Sequence, residues 1–128
     1  ELGDATSRAG VGRATITSFS TLKTDARVGE AVDLLLSTSQ REFPVTDGAG
    51  RLRGVLTRDG IIQALATSGP DTAVLDVMER EIATVHQRVP LSQAVTALET
   101  SGRPLVGVVD DDQRVVGLVT MENLAEYM

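Results

Sequence analysis

Apolar residues at 28, 31, 32, 35 and 36 fall on one side of a 3.6-residue spiral, so VGEAVDLLLSTS (28–39) predicts an amphipathic helix. EFPVTD (42–47) is a short apolar run ending in a turn. GAG (48–50) then reverses the chain into RLRGVLT (51–57), a second strand, and RDGIIQALA (58–66) starts another helix. The same order returns farther along: helix 91–101, strand 105–109, turn DDDQ (110–113), strand 114–120 and helix 121–127. A short extended piece precedes each first helix, at 20–22 and 83–85. Each block therefore reads β-α-β-β-α. Between them, TSGPDT (67–72) reads as a loop and AVLDVMERE (73–81) as a short helix and connector. Residues 1–18 read as a polar lead-in.

The blocks are copies of one another. A shift of 63 residues pairs 21–64 with 84–127 without a gap, and nine of these 44 pairs are identical, among them Asp47/Asp110, Arg51/Arg114, Gly54/Gly117 and Thr57/Thr120. Average residue usage would give roughly three. GVLT (54–57) and GLVT (117–120) are thus one phrase used twice. A unit of about 45 residues buries little apolar surface alone, so two would share a core and enclose clefts between them, a common place for ligands. The expected boundaries are a lead-in at 1–18, repeat 1 at 19–66, a connector at 67–82 and repeat 2 at 83–128.

Composition removes several classes of function. Hydrophobic residues make up 41% of the 128 and charged residues 23%, as in soluble globular chains. The net charge of −6 repels polyanions, and three aromatics are too few for a base-stacking platform, so no nucleic-acid partner is expected. No apolar run reaches the roughly 20 residues of a membrane helix. The start shows no secretory leader, and its lack of a leading Met reads as the mark of an excised piece of a longer chain. With no cysteine there is neither a disulfide framework nor a thiolate zinc site, which fits a reducing, cytoplasmic setting.

Catalytic chemistry is not expected. There is no GxxxxGK[ST] or GxSxG, and the one histidine, His86, has no partnered base in its motif context. GAGRLRG (48–54) has the wrong spacing for a dinucleotide fingerprint and lies between strands. DDD (110–112) lacks the interleaved ligands of a calcium loop and reads as a solvated turn. No metal and no required cofactor are expected.

The element order, REFPV (41–45) with PLVGVVD (104–110), and the paired GhhT phrases together resemble a tandem pair of cystathionine-β-synthase (CBS) domains, a Bateman module, over roughly residues 15–128. The resemblance implies an α+β fold: two β-α-β-β-α repeats related by a pseudo-twofold axis, with sheets packed together and helices outside. TSQREFPVTD and GLVTMENLAEYM carry a narrower resemblance, to the cytosolic module of site-2-protease-like zinc membrane metalloproteases. No HExxH is present, so such a parent's zinc and membrane helices would lie outside this chain.

Modules of this family often bind adenine nucleotides. The Thr of GhhT and an Asp three positions on hold the ribose, and the helix start offers N–H groups to phosphate. Thr57 and Thr120 match. Gly60 and Asn123 stand where the acid would be, so the second site is nearer the pattern and neither is intact. Asp59 is offset by one residue, roughly 100° around the helix, and does not replace the acid. Thr57 and Thr120 have a second reading, as helix caps. The resemblance also assigns adenine contacts to Thr21, Leu22, Lys23, Phe43 and Pro44, and to Thr84, Val85, Val106 and Gly107. Phe43 is either a stacking platform or a core residue. Arg58 and Lys23 either meet phosphates or are surface charges, and His86 is expected in an exposed or hydrogen-bonded role.

Two functions follow. In the first, a regulatory module senses an AMP-, ADP- or ATP-like ligand in the inter-repeat cleft and biases an attached effector. In the second, the module binds nothing small and acts by assembly. The family resemblance implies a homodimer through the helices in either case.

Overall fold

Ten elements follow one another in the computed structural model, which describes residues 18–103 and 105–121. They are β1 (Leu22–Lys23), α1 (Val28–Ser37), β2 (Glu42–Thr46), β3 (Leu52–Thr57), α2 (Arg58–Ser68), α3 (Val74–Val77), β4 (Ala83–His86), α4 (Leu91–Ser101), β5 (Leu105–Val109) and β6 (Val115–Thr120). The expected final helix beyond Met121 lies outside the described residues. Two three-stranded sheets form, ordered β1-β2-β3 and β4-β5-β6. In each, the first pair is parallel and the second antiparallel. This is the expected α+β architecture. Phe19–Glu81 makes one compact unit, and the residues from Ile82 onward belong to another.

Each unit has its own core, because each first helix carries an apolar stripe and each sheet has an apolar centre. On α4, Leu91, Ala94 and Leu98 recur at helical spacing and pack with Val106, Val108 and Val119. In the other unit, Ala31 of α1 joins Phe43, Val45, Leu56 and Ile61. Each fully buried Leu, Ile or Phe contributes about 1.5–3 kcal/mol relative to exposure. The middle strand β5 is apolar without alternation and every one of its residues is buried, and β2 has an apolar centre, Phe43–Val45, between Glu42 and Thr46.

Pro44 sits in a middle strand, where its missing N–H would ordinarily break a ladder bond. Here it faces Val55, whose N–H and C=O are both committed to Glu79, each at 2.9 Å. Pro44 and Val55 are therefore a non-hydrogen-bonded pair, and Pro44 directs its nitrogen toward the β1 side. β1 begins pairing only at Leu22 with Val45, so no ladder bond is lost there.

Element ends follow local chemistry. α1 stops two residues before the expected 39, because Thr38 is extended and its N–H and hydroxyl both donate to Leu34 O, at 3.0 Å each. The 73–81 stretch forms one helical turn and then an extended run. That run lies along β3 because Gly54 has no side chain: a Cβ there would stand 2.6 Å from Met78 Sδ and 2.7 Å from Glu79 O. The Gly of the first GhhT phrase is thus a close-approach residue.

Candidate functional site

Thr57 ends β3 and caps α2. Its Oγ1 accepts from the Gly60 N–H at 3.1 Å, which supports the capping reading. Because the oxygen is the acceptor, the hydroxyl's own proton is left for another partner. The Arg58 N–H donates to Arg41 O at 2.7 Å. Two of the first three N–H groups of α2 are therefore taken. The expectation that this helix start offers several amides to a phosphate is corrected: among the described residues, only the Asp59 amide remains of those three.

Beside Thr57 lies a groove of about 310 Å³, lined by Val55, Leu56, Thr57, Gly60, Gln63, Ala64, Thr67, Val77 and Glu79. Among the described residues, its polar side chains are the Thr57 and Thr67 hydroxyls, the Gln63 amide and the Glu79 carboxylate. Gln63 and Thr67 follow Gly60 at helical spacing, a signal available in sequence. Glu79 had no such signal, because its place depends on the pairing with Val55.

The other candidate residues of this unit lie elsewhere. Thr21, Leu22 and Lys23 line a separate groove of about 450 Å³ with Glu30, Asp33, Leu34 and Ser37. Arg58 does not line the Thr57 groove. It borders a third one, of about 550 Å³, with Leu35, Leu36, Ile61, Ile62 and Leu65 between α1 and α2. Phe43 is 0% exposed and packed in the core, so its side chain is no stacking platform. Pro44 is buried beside it in β2.

In the second unit, Thr84 pairs with Gly107 and Val85 with Val108 across the parallel β4–β5 ladder. Val106 and Gly107 are buried, and Thr84 is exposed. Thr120 is 8% exposed at the end of β6, opposite Leu105. Asn123 lies outside the described residues.

His86 is hydrogen-bonded, as expected. Its Nδ1 accepts from the Arg88 N–H at 3.1 Å, so Nε2 carries the proton and donates to Asp111 Oδ1 at 2.6 Å. That bond, with the Arg88 guanidinium near it, holds the Asp111 carboxyl below its ordinary range. Among the described residues, no cluster of three or more His, Cys, Asp or Glu is arranged to hold a metal ion. No helix there is long and apolar enough to cross a membrane.

The CBS domain family model matches residues 11–67 and 74–128. The L-aspartate semialdehyde sulfurtransferase of Methanocaldococcus jannaschii is 30% identical over 105 residues, which are 82% of this chain and 20% of that protein. The chain thus spans about a fifth of the length of the curated relatives it matches. The CBS domain pair of protein MJ0100, solved with 5′-methylthioadenosine and S-adenosylmethionine, is 27% identical. The match covers 93% of this chain and 98% of that one, with a TM-score of 0.81. The structure of CBSX2, solved with AMP, is 23% identical and shares the fold at a TM-score of 0.78, over 93% of this chain and 95% of that one. Two copies of one sequence phrase, two sheets of one topology and a family model matched twice agree: the chain belongs to the CBS domain family, as a tandem pair.

Proposed function

We propose that this CBS pair, with functional repeats at 19–66 and 83–128 joined by a connector at 67–82, is a sensor of an adenosine-containing ligand. Occupancy biases an effector carried by the parent protein, and the module works in the cytoplasm. The observation that carries the reading is the Thr57 corner: a hydroxyl with its proton to give, beside a groove whose described lining includes the Gln63 amide and the Thr67 hydroxyl. A ribose offers the matching hydroxyls. The CBS pair of protein MJ0100, solved with two adenosine derivatives, supports the ligand class. Thr120 ends β6 as Thr57 ends β3, so it is the matching contact of the second repeat, with Asn123, Thr84, Val85, Val106 and Gly107 as its companions. Thr21, Leu22 and Lys23 are proposed contacts on the first repeat. The relatives named above give no support to a protease parent, and the effector is left open.

Thermal denaturation with 5′-methylthioadenosine, S-adenosylmethionine, AMP, ADP and ATP tests this. A ligand that binds only the folded chain stabilises it by about 2.7 kcal/mol at one hundred times its Kd. No shift with any of the five at millimolar concentration rejects sensing.

A second reading has its own observation. Leu36, Ile62 and Leu65 are 81%, 49% and 40% exposed and line the groove between α1 and α2. Three large apolar side chains on one such face mark a contact surface, and a second copy of the chain is the partner proposed. Light scattering on the wild type and on the Leu36→Lys, Ile62→Lys double variant checks it. A wild-type dimer that becomes monomeric is expected, and a wild-type monomer at high concentration rejects assembly.

A further inference from the structure

We infer that Gln40 is a positioning residue of the first repeat's site: its side-chain amide stands in for the ladder bonds that Pro44 denies to Ser20, and so fixes where Thr21, Leu22 and Lys23 stand. The inference rests on the sensing reading above and adds the residue that sets the geometry of those contacts. The Ser20 N–H donates to Gln40 Oε1 at 2.8 Å. Gln40 Nε2 donates in return to Ser20 O and to Glu42 O, at 2.8 Å each. One amide thus commits both of its N–H donors and its oxygen to three main-chain groups. Those groups fix its orientation, because the flipped amide would set an oxygen against two carbonyls.

The strand register shows why a side chain is needed there. Leu22 faces Val45 and Lys23 faces Thr46 in the parallel pair, and the Thr24 N–H donates to Thr46 O at 3.0 Å. In such a ladder every second residue turns its N–H and C=O to the neighbouring strand. Thr24, Leu22 and Ser20 are those residues. The donor facing Ser20 O would be the nitrogen of residue 44, and Pro44 carries no hydrogen on it. The second repeat is the internal control. Gly107 stands in place of Pro44 and has its N–H, and there the ladder reaches back to Ala83, the counterpart of Ser20, which pairs with Val106.

Gln40 is itself held from the other side. Its N–H donates to Thr38 Oγ1 at 3.2 Å, and that hydroxyl donates to Leu34 O, near the end of α1, at 3.0 Å. The amide therefore ties the chain entering β1 to both α1 and β2. Thr21 follows Ser20 directly, and Thr21, Leu22 and Lys23 line the groove of about 450 Å³ beside α1. A shift of Ser20 moves that wall of the groove, whereas Ala31, Phe43, Val45, Leu56 and Ile61 pack in a core that does not include Gln40.

Amide exchange read by NMR tests the inference, together with titration of 5′-methylthioadenosine, S-adenosylmethionine, AMP, ADP and ATP. The 128-residue chain is compared as wild type, as Gln40→Glu, and as the Gln40→Ala, Pro44→Ala double variant. Gln40→Glu keeps the shape and loses both donors at neutral pH. In it, exchange at Ser20 and Leu22 should quicken at least tenfold while the Leu56 and Ala64 amides keep their rates. Affinity for the compound that binds the wild type best should fall at least fivefold. In the double variant residue 44 regains a donor and Ser20 pairs with β2 directly, as Ala83 does with β5, so at least half of the lost protection at Ser20 should return. Unchanged exchange at Ser20 in Gln40→Glu overturns the inference, and so does a double variant without recovery. Faster exchange with unchanged affinity overturns it too and leaves sensing intact. Silence from all five compounds in the wild type overturns the sensing reading, and this inference with it.

Discussion

Gly50 and Gln113 occupy the same corner of two matching hairpins, at φ 83° and 67°. They lie 63 residues apart, the shift that relates the repeats. Around each, an Asp organises the turn. Asp47 Oδ1 accepts from the Ala49 and Arg51 amides, and Asp110 Oδ1 from the Asp112 and Arg114 amides, at 2.9 and 3.0 Å in both cases. The turn thus demands a left-handed residue at one position, and only the first copy supplies the residue type suited to it.

From this an asymmetric pair of effects follows. Gly50→Ala should destabilise its unit by about 1 kcal/mol, because a Cβ is disfavoured in that conformation. Gln113→Gly relieves about 1–2 kcal/mol of strain but adds unfolded-chain freedom worth about 0.4–1 kcal/mol. A net gain of about 0.5–1 kcal/mol is expected. Urea midpoints of the two variants measure both signs, and a stabilising Gly50→Ala would refute the argument.

The Thr57 cap is testable apart from any ligand. Thr57→Val keeps the shape and removes the acceptor for the Gly60 amide, so stability should fall by about 1 kcal/mol. Thr57→Ser, which keeps the oxygen, should recover most of it. A loss in Thr57→Ser with none in Thr57→Val, read by denaturant melts, would show that the methyl rather than the oxygen carries the effect.

Gly54→Ala addresses the packing of the connector. The new methyl must displace Met78 Sδ and, less yieldingly, the backbone oxygen of Glu79. A loss of about 1–3 kcal/mol is expected, together with faster amide exchange at Val55 and Glu79, whose mutual bonds would be stretched. Unchanged protection at both amides would mean that the connector accommodates the methyl.

Acid should weaken the hairpins in a defined window. The Arg51 backbone amide, helped by the Ala49 amide and the Arg53 guanidinium, holds the Asp47 carboxyl below its ordinary 3.8. Asp111 is lowered in the same direction, chiefly by the hydrogen bond from His86. A depressed folded value means that the stabilisation is complete above the unfolded value and fades as pH falls through the folded one. Asp47→Asn keeps an acceptor oxygen and loses the charge. The stability gap between wild type and Asp47→Asn should therefore be constant from pH 6 to 5 and shrink below about pH 4. A gap that persists at pH 2.5 would assign the effect to shape rather than charge.

Much of this architecture is written in short-range patterns. The helical spacing of Leu91, Ala94 and Leu98 predicts α4 to its observed limits, 91–101, because burial of one stripe is itself periodic. Asp47 and Asp110 announce their turns by residue type, and the threonine before RDG announces its cap. The exposed apolar trio on α1 and α2 was less legible. Leu36 lies beside the buried stripe of α1, and nothing along the chain distinguishes a residue covering the core from one facing outward.

Taken alone, the order of residues determined the duplicated unit, the sequence of strands and helices, the two hairpin corners and the family. Each of these depends on neighbours within a few positions, where side-chain period and backbone preference act directly. Folding decided which candidate residues share a surface. It buried Phe43, put Thr21–Lys23 and Thr57 on different grooves, sent Arg58 to the α1–α2 face and drew Glu79 beside Thr57 through the Val55 pairing. That pairing joins residues 24 positions apart through main-chain atoms common to every amino acid, so no side-chain pattern encodes it.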